Sequence, residues 1–125
     1  MAAEHGLEGL VAWQKAVAFA VRVQQEVLPH LPKEERFALA LQLRRAAQSI
    51  PANIAEGYGR YTFKDSVRFY YIARGSLEEA YTYLVLAHKV GYLEEALFTS
   101  LQEEVRTLRH ILNGYLKFLK NRMRT

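Results

Sequence analysis

Five basic residues near the C-terminus could bind phosphate, because they share one face of a predicted helix. They are Arg106, Arg109, Lys117, Lys120 and Arg124. At about 100° per residue they fall within one narrow sector beside the apolar stripe, together with Asn113. No acidic residue follows Glu104. Such a face suits contacts with successive phosphates of a nucleic acid. The alternative is a solvated face whose cations favour the negative end of the helix dipole.

A second basic set surrounds the predicted turn between helix 2, at about 33–57, and helix 3, at about 63–90. It comprises Arg44, Arg45, Arg60, Lys64 and Arg68, interleaved with Tyr58, Tyr61, Phe63, Tyr70 and Tyr71. Aromatic rings beside arginines can stack on unpaired bases. More often such tyrosines are core residues whose hydroxyls reach the surface. The sequence favours a structural or interface role here and keeps Arg44, Arg45 and Arg60 as a second candidate phosphate-binding set.

Polar residues also interrupt the apolar run SIPANIAEG at residues 49–57. Helix 2 contributes Ser49, Asn53 and Glu56, and helix 3 offers Arg74, Ser76 and Glu79. The first three recur at steps of four and three, which places them on one helix face. Because buried polar groups need partners, these residues are expected to form a polar network between the two helices. The alternative is that they belong to a subunit interface.

Two backbone features accompany this polar group. Pro51 lacks an N–H and crowds the carbonyl four residues earlier, so helix 2 is predicted to kink near it. Gly75 in a helix interior costs about 1 kcal/mol relative to alanine. Its expected benefit, together with the small residues Ala73 and Ser76, is a close approach of helix 3 to helix 2.

The sequence contains little that predicts catalysis. It has no cysteine, and its four histidines lack metal-ligand spacing. The Glu-x-x-His signature of di-metal bundles and the glycine-rich phosphate loop are both missing. We therefore expect a non-enzymatic protein without cofactor or metal. An enzyme that uses Glu56 or Glu79 as a base is the alternative, and it would need a polar pocket open to solvent.

Four helices must position these residues. They are predicted at about 8–28, 33–57, 63–90 and 94–122. Pro32 suits the first turn of helix 2, whose apolar face is expected to include Phe37, Leu41, Ile50 and Ile54.

The later helix boundaries have clear signals. Thr62 and Asp65 form a capping box that opens helix 3, and Gly91 closes it. In helix 4, apolar residues from Leu97 to Leu119 recur in steps of three and four. No segment alternates as a strand does. The sequence predicts one all-α domain over the whole chain, an antiparallel up-down-up-down four-helix bundle.

Size and charge narrow the function classes. A chain of 125 residues suits one domain, and its net charge of +4 favours polyanionic partners. The absence of cysteine fits a reducing compartment. No apolar run approaches the roughly 20 residues that span a bilayer, and the first residues lack a signal-peptide pattern. A cytoplasmic location is therefore expected.

Three long segments carry a family resemblance. They are WQKAV at 13–17, LPKEERFALALQLRRAAQSIPANIAEGYGR at 31–60 and ARGSLEEAYTYLVLAHKVGYL at 73–93. They resemble the four-helix bundle proteins encoded in intervening sequences of bacterial 23S ribosomal RNA genes. The accessory variability determinant of diversity-generating retroelements belongs to the same fold family. The family motif falls on Arg44, Arg45, Ser49, Pro51, Asn53, Glu56, Gly57, Arg60, Gly75, Ser76 and Glu79.

The resemblance implies a ring-like homopentamer of antiparallel bundles with no known catalysis. For the retroelement branch it implies a basic surface that engages a reverse transcriptase and nucleic acid. Together with the charge pattern, it leads us to expect an oligomeric bundle that binds structured RNA, ribosomal or other, or an RNA–protein complex. The alternative is an assembly or adaptor module that binds a protein partner, such as a reverse transcriptase, without contacting nucleic acid.

Overall fold

The structure is a computed structural model that describes residues 6–123. Its four helices are α1 (Val11–Arg22), α2 (Leu39–Tyr58), α3 (Phe63–Lys89) and α4 (Glu95–Met123). A π-helical turn, Val23–Val27, extends α1, and short 3-10 turns lie at Gly6–Gly9, Leu28–His30 and Lys33–Glu35. This part of the chain contains no strand, and none of its helices is long and apolar enough to cross a membrane. The all-α prediction is confirmed.

The helices pack around one apolar core. Contacts join α1 to α2, α2 to α3, α3 to α4, and α4 back to α1, and they are most extensive between α2 and α3. The largest fully buried side chains include Phe19, Leu43, Ile50, Ile54, Leu77, Leu84, Leu101, Leu108 and Leu112. Each buried aliphatic side chain of this size contributes roughly 1.5–3 kcal/mol. This core holds the polar faces of α3 and α4 in a fixed relation.

The observed bounds of α3, Phe63–Lys89, lie within one residue of the predicted 63–90. The N–H of Asp65 donates to Thr62 Oγ1 at 3.2 Å, which caps the first turn. At the other end Gly91 has φ +91°, a conformation that glycine adopts readily. The N–H of Tyr92 then donates to Ala87 O at 2.8 Å and satisfies a carbonyl of the last turn.

The start of α2 differs from its prediction. The helix begins at Leu39, because Ala38 has φ −121° and ψ −103°, outside the helical region. The Glu35 carboxylate accepts the N–H of Leu39 at 3.3 Å and so caps the delayed start. Phe37 lies before the helix and is 80% exposed, so its predicted place on the apolar face of α2 is wrong.

The predicted role of Gly75 is also wrong, because a different glycine lies at the close approach of α2 and α3. A Cβ on Gly57 would lie 2.8 Å from Tyr70 Cε2 and 3.0 Å from Ser66 O. Ser66 Oγ donates to Gly57 O at 2.7 Å across the same contact. Gly75 is exposed, and a Cβ there would meet nothing within 4 Å.

Pro51 lies within α2, which continues on both sides of it. Proline has no N–H, so α2 lacks one backbone hydrogen-bond donor at this position. Packing against α3 holds the helix in place along the rest of its length. The kink near Pro51 stays a prediction.

Candidate nucleic-acid interface

A groove of about 380 Å³ lies between the polar faces of α3 and α4. We call it the cationic groove; its lining residues are Tyr71, Arg74, Asn113, Leu116, Lys117, Lys120 and Asn121. On each helix these residues recur at three- and four-residue steps, which puts them on one face. Three lining residues are cations and none is acidic. The packing of α3 against α4 thus gathers positive charge from two helices.

The cations of the groove are ordered around one phenol ring. Lys120 Nζ donates to Tyr71 Oη at 2.9 Å and lies 5.6 Å from the ring centroid. The guanidinium carbon of Arg74 lies 5.0 Å from the same centroid, and Arg74 Nη1 donates to Asn113 Oδ1 at 2.9 Å. The hydrogen bond from Lys120 lowers the pKa of Tyr71. These contacts orient the cations without neutralising them.

Lys117 completes the groove without a fixed partner. Its side chain forms no hydrogen bond or ion pair with residues 6–123. Two ammonium groups, a guanidinium fork and two amides therefore line one concave surface. Charge-assisted hydrogen bonds to phosphate oxygens are the strongest interactions that this donor set can make. The arrangement suits an anion with several oxygen acceptors.

Two of the five cations predicted on helix 4 are held by acidic side chains instead. Arg106 Nη1 lies 2.7 Å from Glu103 Oε1. Arg109 donates from Nε and Nη2 to both carboxylate oxygens of Glu78, at 2.6 and 2.8 Å. The hydrogen bond from Arg109 lowers the pKa of Glu78. Only Lys117 and Lys120 of the predicted set line the cationic groove, and Arg124 lies outside the described residues.

The second predicted basic set is dispersed. Arg60 Nη2 lies 3.0 Å from Glu56 Oε2, and its guanidinium carbon lies 4.5 Å from the Phe69 ring centroid. Arg45 is exposed and has no side-chain partner among residues 6–123. Arg44 lines a separate groove near the start of α2. These arginines do not form one phosphate-binding surface with the cationic groove.

The family can be stated at this point. A family model described as 23S rRNA-intervening sequence protein matches residues 8–114. The chain belongs to this family.

One solved structure has the same fold and matches this chain over most of the length of both proteins. It is a protein of unknown function from the S23 ribosomal protein family of Bacteroides thetaiotaomicron. The two chains are 25% identical, with a TM-score of 0.78, and the match covers 86% of this chain and 96% of the other. Among curated proteins, no match was found. The relatives therefore establish family and fold.

Three of the six predicted network residues are joined by hydrogen bonds. Ser49 Oγ and Ser76 Oγ are 2.8 Å apart, and Asn53 Nδ2 donates to Ser49 O at 2.8 Å and to Ser49 Oγ at 2.9 Å. Ser76 is buried, whereas the other two are half-buried. We call these residues the polar triad. It pairs Ser49 Oγ, Ser76 Oγ and Asn53 Nδ2 where α2 meets α3.

The other three predicted network residues bond elsewhere. Glu56 is paired with Arg60 at the surface. Arg74 extends into the cationic groove. Glu79 Oε2 accepts the hydroxyl of Tyr83 at 2.9 Å. The predicted network is thus smaller than expected, and its place at a subunit interface stays a prediction.

Sequence reasoning assigned two important groove residues to other groups. The sequence places Tyr71 with the aromatic residues of the second basic set and Arg74 with the polar network. The available signal was their three-residue spacing, which matches that of Lys117 and Lys120 on the neighbouring helix. Asn121 was not identified. Only the packing of α3 against α4 brings these residues together.

The described residues show no arrangement typical of a catalytic or metal site. Within residues 6–123, no group of three histidine, aspartate or glutamate side chains could hold a metal ion. Glu56 lines an open depression, and its carboxylate is paired with Arg60. The expectation that this protein is not an enzyme stays a prediction.

Proposed function

We propose that this 23S rRNA-intervening sequence protein binds structured RNA through the cationic groove. The observation that carries the proposal is the convergence of Arg74, Lys117 and Lys120 on a surface with no acidic lining residue. Phosphate contacts supply most of the sequence-independent affinity for nucleic acids. The family description, which names 23S rRNA, makes ribosomal RNA the natural first target.

The groove chemistry favours recognition of the RNA backbone. Arg74 can present a planar fork to one phosphate, while Lys117 and Lys120 act as point charges toward neighbouring phosphates. Tyr71 is the only aromatic residue among the lining residues, and its ring already lies against two cations. A stacking platform for successive unpaired bases needs more aromatic rings than this. The groove therefore suits a folded RNA recognised by its shape.

The test is fluorescence anisotropy with a labelled 23S rRNA hairpin across a salt series of about 50–200 mM. The Lys117→Ala/Lys120→Ala variant should bind roughly tenfold more weakly near physiological salt. The slope of log K against log salt concentration should become shallower by roughly 1.4–1.8, because two phosphate contacts are lost and each contributes about 0.7–0.9 to the slope. The matched control is Lys15→Ala/Lys89→Ala, which has the same net charge but changes two exposed lysines outside the groove.

Equal losses in the two variants would mean that only net charge matters, and the groove assignment would fail. Weak binding by the wild type at every salt concentration would reject RNA binding itself. An adaptor role for a protein partner, such as a reverse transcriptase, would then be the better explanation. Circular dichroism of each variant checks that the fold is intact.

We also propose that the chain self-associates, and one face of α3 supports this. Ile72 and Leu86 are about half exposed, and both lie on that face. Large apolar side chains on one exposed face are typical of interaction surfaces. The family resemblance implies a ring of five copies. A ring requires a head-to-tail interface that closes.

Sedimentation velocity tests this second proposal. The wild type should sediment as an oligomer, and Ile72→Glu should shift the population toward monomer. Val11→Glu, at an exposed position of α1, is the matched control and should leave the distribution unchanged. A monomeric wild type at micromolar concentration would contradict self-association.

A further inference from the structure

A second groove, of about 360 Å³, lies where the α1–α2 connection meets the start of α2. We call it the connection groove. Its lining residues are Leu28, Pro29, Leu31, Pro32, Lys33, Arg36, Ala40, Leu41 and Arg44. It shares no residue with the cationic groove.

The local sequence explains why this groove exists. Pro29 and Pro32 interrupt helix formation, so the connection consists of short turns that cross the end of the bundle. Ala38 then delays the start of α2. Ala40 contributes only a methyl group, and it lines the groove beside the half-buried Leu41. The floor is therefore mostly apolar and incompletely covered.

The rim of the connection groove is cationic. Lys33, Arg36 and Arg44 are exposed, and none of them forms an ion pair with the described residues. Arg36 makes only a local contact, with its guanidinium carbon 5.2 Å from the ring centroid of Phe37. The neighbouring Glu35 carboxylate accepts from Leu39 N and from the hydroxyl of Tyr92, and it does not line the groove.

We propose that the connection groove docks an acidic protein segment that inserts a leucine-like side chain between carboxylates. An apolar floor inside an unneutralised cationic rim is complementary to that chemistry. RNA fits less well, because the leucine, proline and alanine side chains of the floor offer no donor to phosphate and would stay uncovered beneath a sugar-phosphate backbone. The segment would thus bury its apolar side chain and pair its carboxylates with the three cations.

The probe is a fluorescein-labelled peptide of ten residues, with two central leucines flanked by four acidic residues on each side. Anisotropy is measured on the full chain near physiological salt. Arg36→Glu/Arg44→Glu should weaken binding at least roughly tenfold, because like charges then face each other. The matched control, Arg45→Glu/Arg68→Glu, has the same net charge at exposed positions outside the groove and should retain most of the affinity.

Two further measurements separate shape from charge. Ala40→Trp should fill the floor and abolish peptide binding without changing the net charge. A peptide with serine in place of both leucines should bind roughly tenfold more weakly, because its apolar anchor is gone. Thermal melts of each variant check that the bundle still folds.

Several outcomes would overturn the proposal. They are undetectable binding of the peptide to the wild type, and equal losses in the groove and control variants. A loss of RNA affinity in Arg36→Glu/Arg44→Glu that clearly exceeds the loss in the equally charged control Arg45→Glu/Arg68→Glu would assign this groove to nucleic acid. A change of oligomeric state in Ala40→Trp would assign it to a subunit contact.

Discussion

The same substitution in two adjacent helices should have opposite effects on stability. Gly57→Ala places a methyl group 2.8 Å from the Tyr70 ring and 3.0 Å from the backbone oxygen of Ser66. Neither neighbour is the free end of a flexible side chain, so α2 and α3 must separate. Gly75→Ala places the same methyl group in open space. The two variants therefore isolate the close approach of the helices.

The magnitudes follow from three contributions. Overpacking a rigid contact costs about 3 kcal/mol at the upper end of its usual range. Stretching the 2.7 Å bond from Ser66 Oγ to Gly57 O adds roughly 1 kcal/mol. Replacing glycine by alanine within a helix stabilises the folded state by about 1 kcal/mol. Gly57→Ala should thus lose about 3 kcal/mol, whereas Gly75→Ala should gain about 1 kcal/mol.

Thermal unfolding followed by circular dichroism measures the difference. At roughly 4 °C per kcal/mol for a chain of this size, the Tm should fall by about 12 °C in Gly57→Ala and rise by about 4 °C in Gly75→Ala. Equal shifts in the two variants would refute the close approach at Gly57. A concentration-dependent fall in the Tm of Gly75→Ala would instead show that another chain packs against Gly75.

Further predictions concern Asn53 of the polar triad, the surface carboxylate of Glu56, and Glu78, the acidic partner of Arg109. Asn53→Ala should lower the free energy of unfolding by about 1–3 kcal/mol in urea titrations, because two hydrogen bonds to Ser49 are lost. Glu56→Ala should change it by less than about 0.5 kcal/mol, because that ion pair is at the surface. Glu78→Gln should tighten RNA binding roughly two- to fivefold in the anisotropy assay, because Arg109 is released and a negative charge is removed; unchanged affinity would exclude Arg109 from the interface. Because the Glu78 pKa is lowered on folding, its stabilisation is present above the unfolded pKa and is lost as pH falls through the folded pKa. Denaturant melts from neutral pH to below pH 4 should therefore show a shallower acid-side loss in Glu78→Gln than in the wild type.

The fold could be predicted because local signals agree with the packing. Periodic apolar residues and the cap at Thr62 specify the helices without reference to distant contacts. The start of α2 differs from its prediction because Pro32, with Glu34 and Glu35 shortly after it, is a good helix start in isolation. The turn before Leu39 depends on backbone geometry at Ala38, which the residue type does not reveal.

The candidate site was less predictable because it depends on which helix faces meet. Sequence spacing places Arg109 and Lys117 on one face of predicted helix 4. It cannot reveal that Arg109 faces Glu78, or that Lys117 shares its groove with Arg74. The charge available for binding is decided by these contacts across helices rather than by the count of basic residues.

The two grooves lie at opposite ends of the bundle. In an antiparallel arrangement the last turns of α4 lie beside the first turns of α3, and Lys120 accordingly contacts Tyr71. The connection groove lies at the other end, where Tyr92 donates to Glu35 and ties the α3–α4 link to the α1–α2 connection. One chain could therefore hold RNA and an acidic protein segment at the same time.

This separation makes a final prediction about the two binding reactions. Because the grooves share no lining residue, saturating acidic peptide should change RNA affinity by less than about twofold at the higher salt concentration. At the lower salt concentration the negative charge of the bound peptide also repels RNA, and salt screens this repulsion. The measurement is an RNA titration with and without peptide at two salt concentrations. Strong competition that persists at the higher salt would show that peptide and RNA occupy one surface. The protein would then present a single general anion-binding face, rather than two grooves with different chemistry.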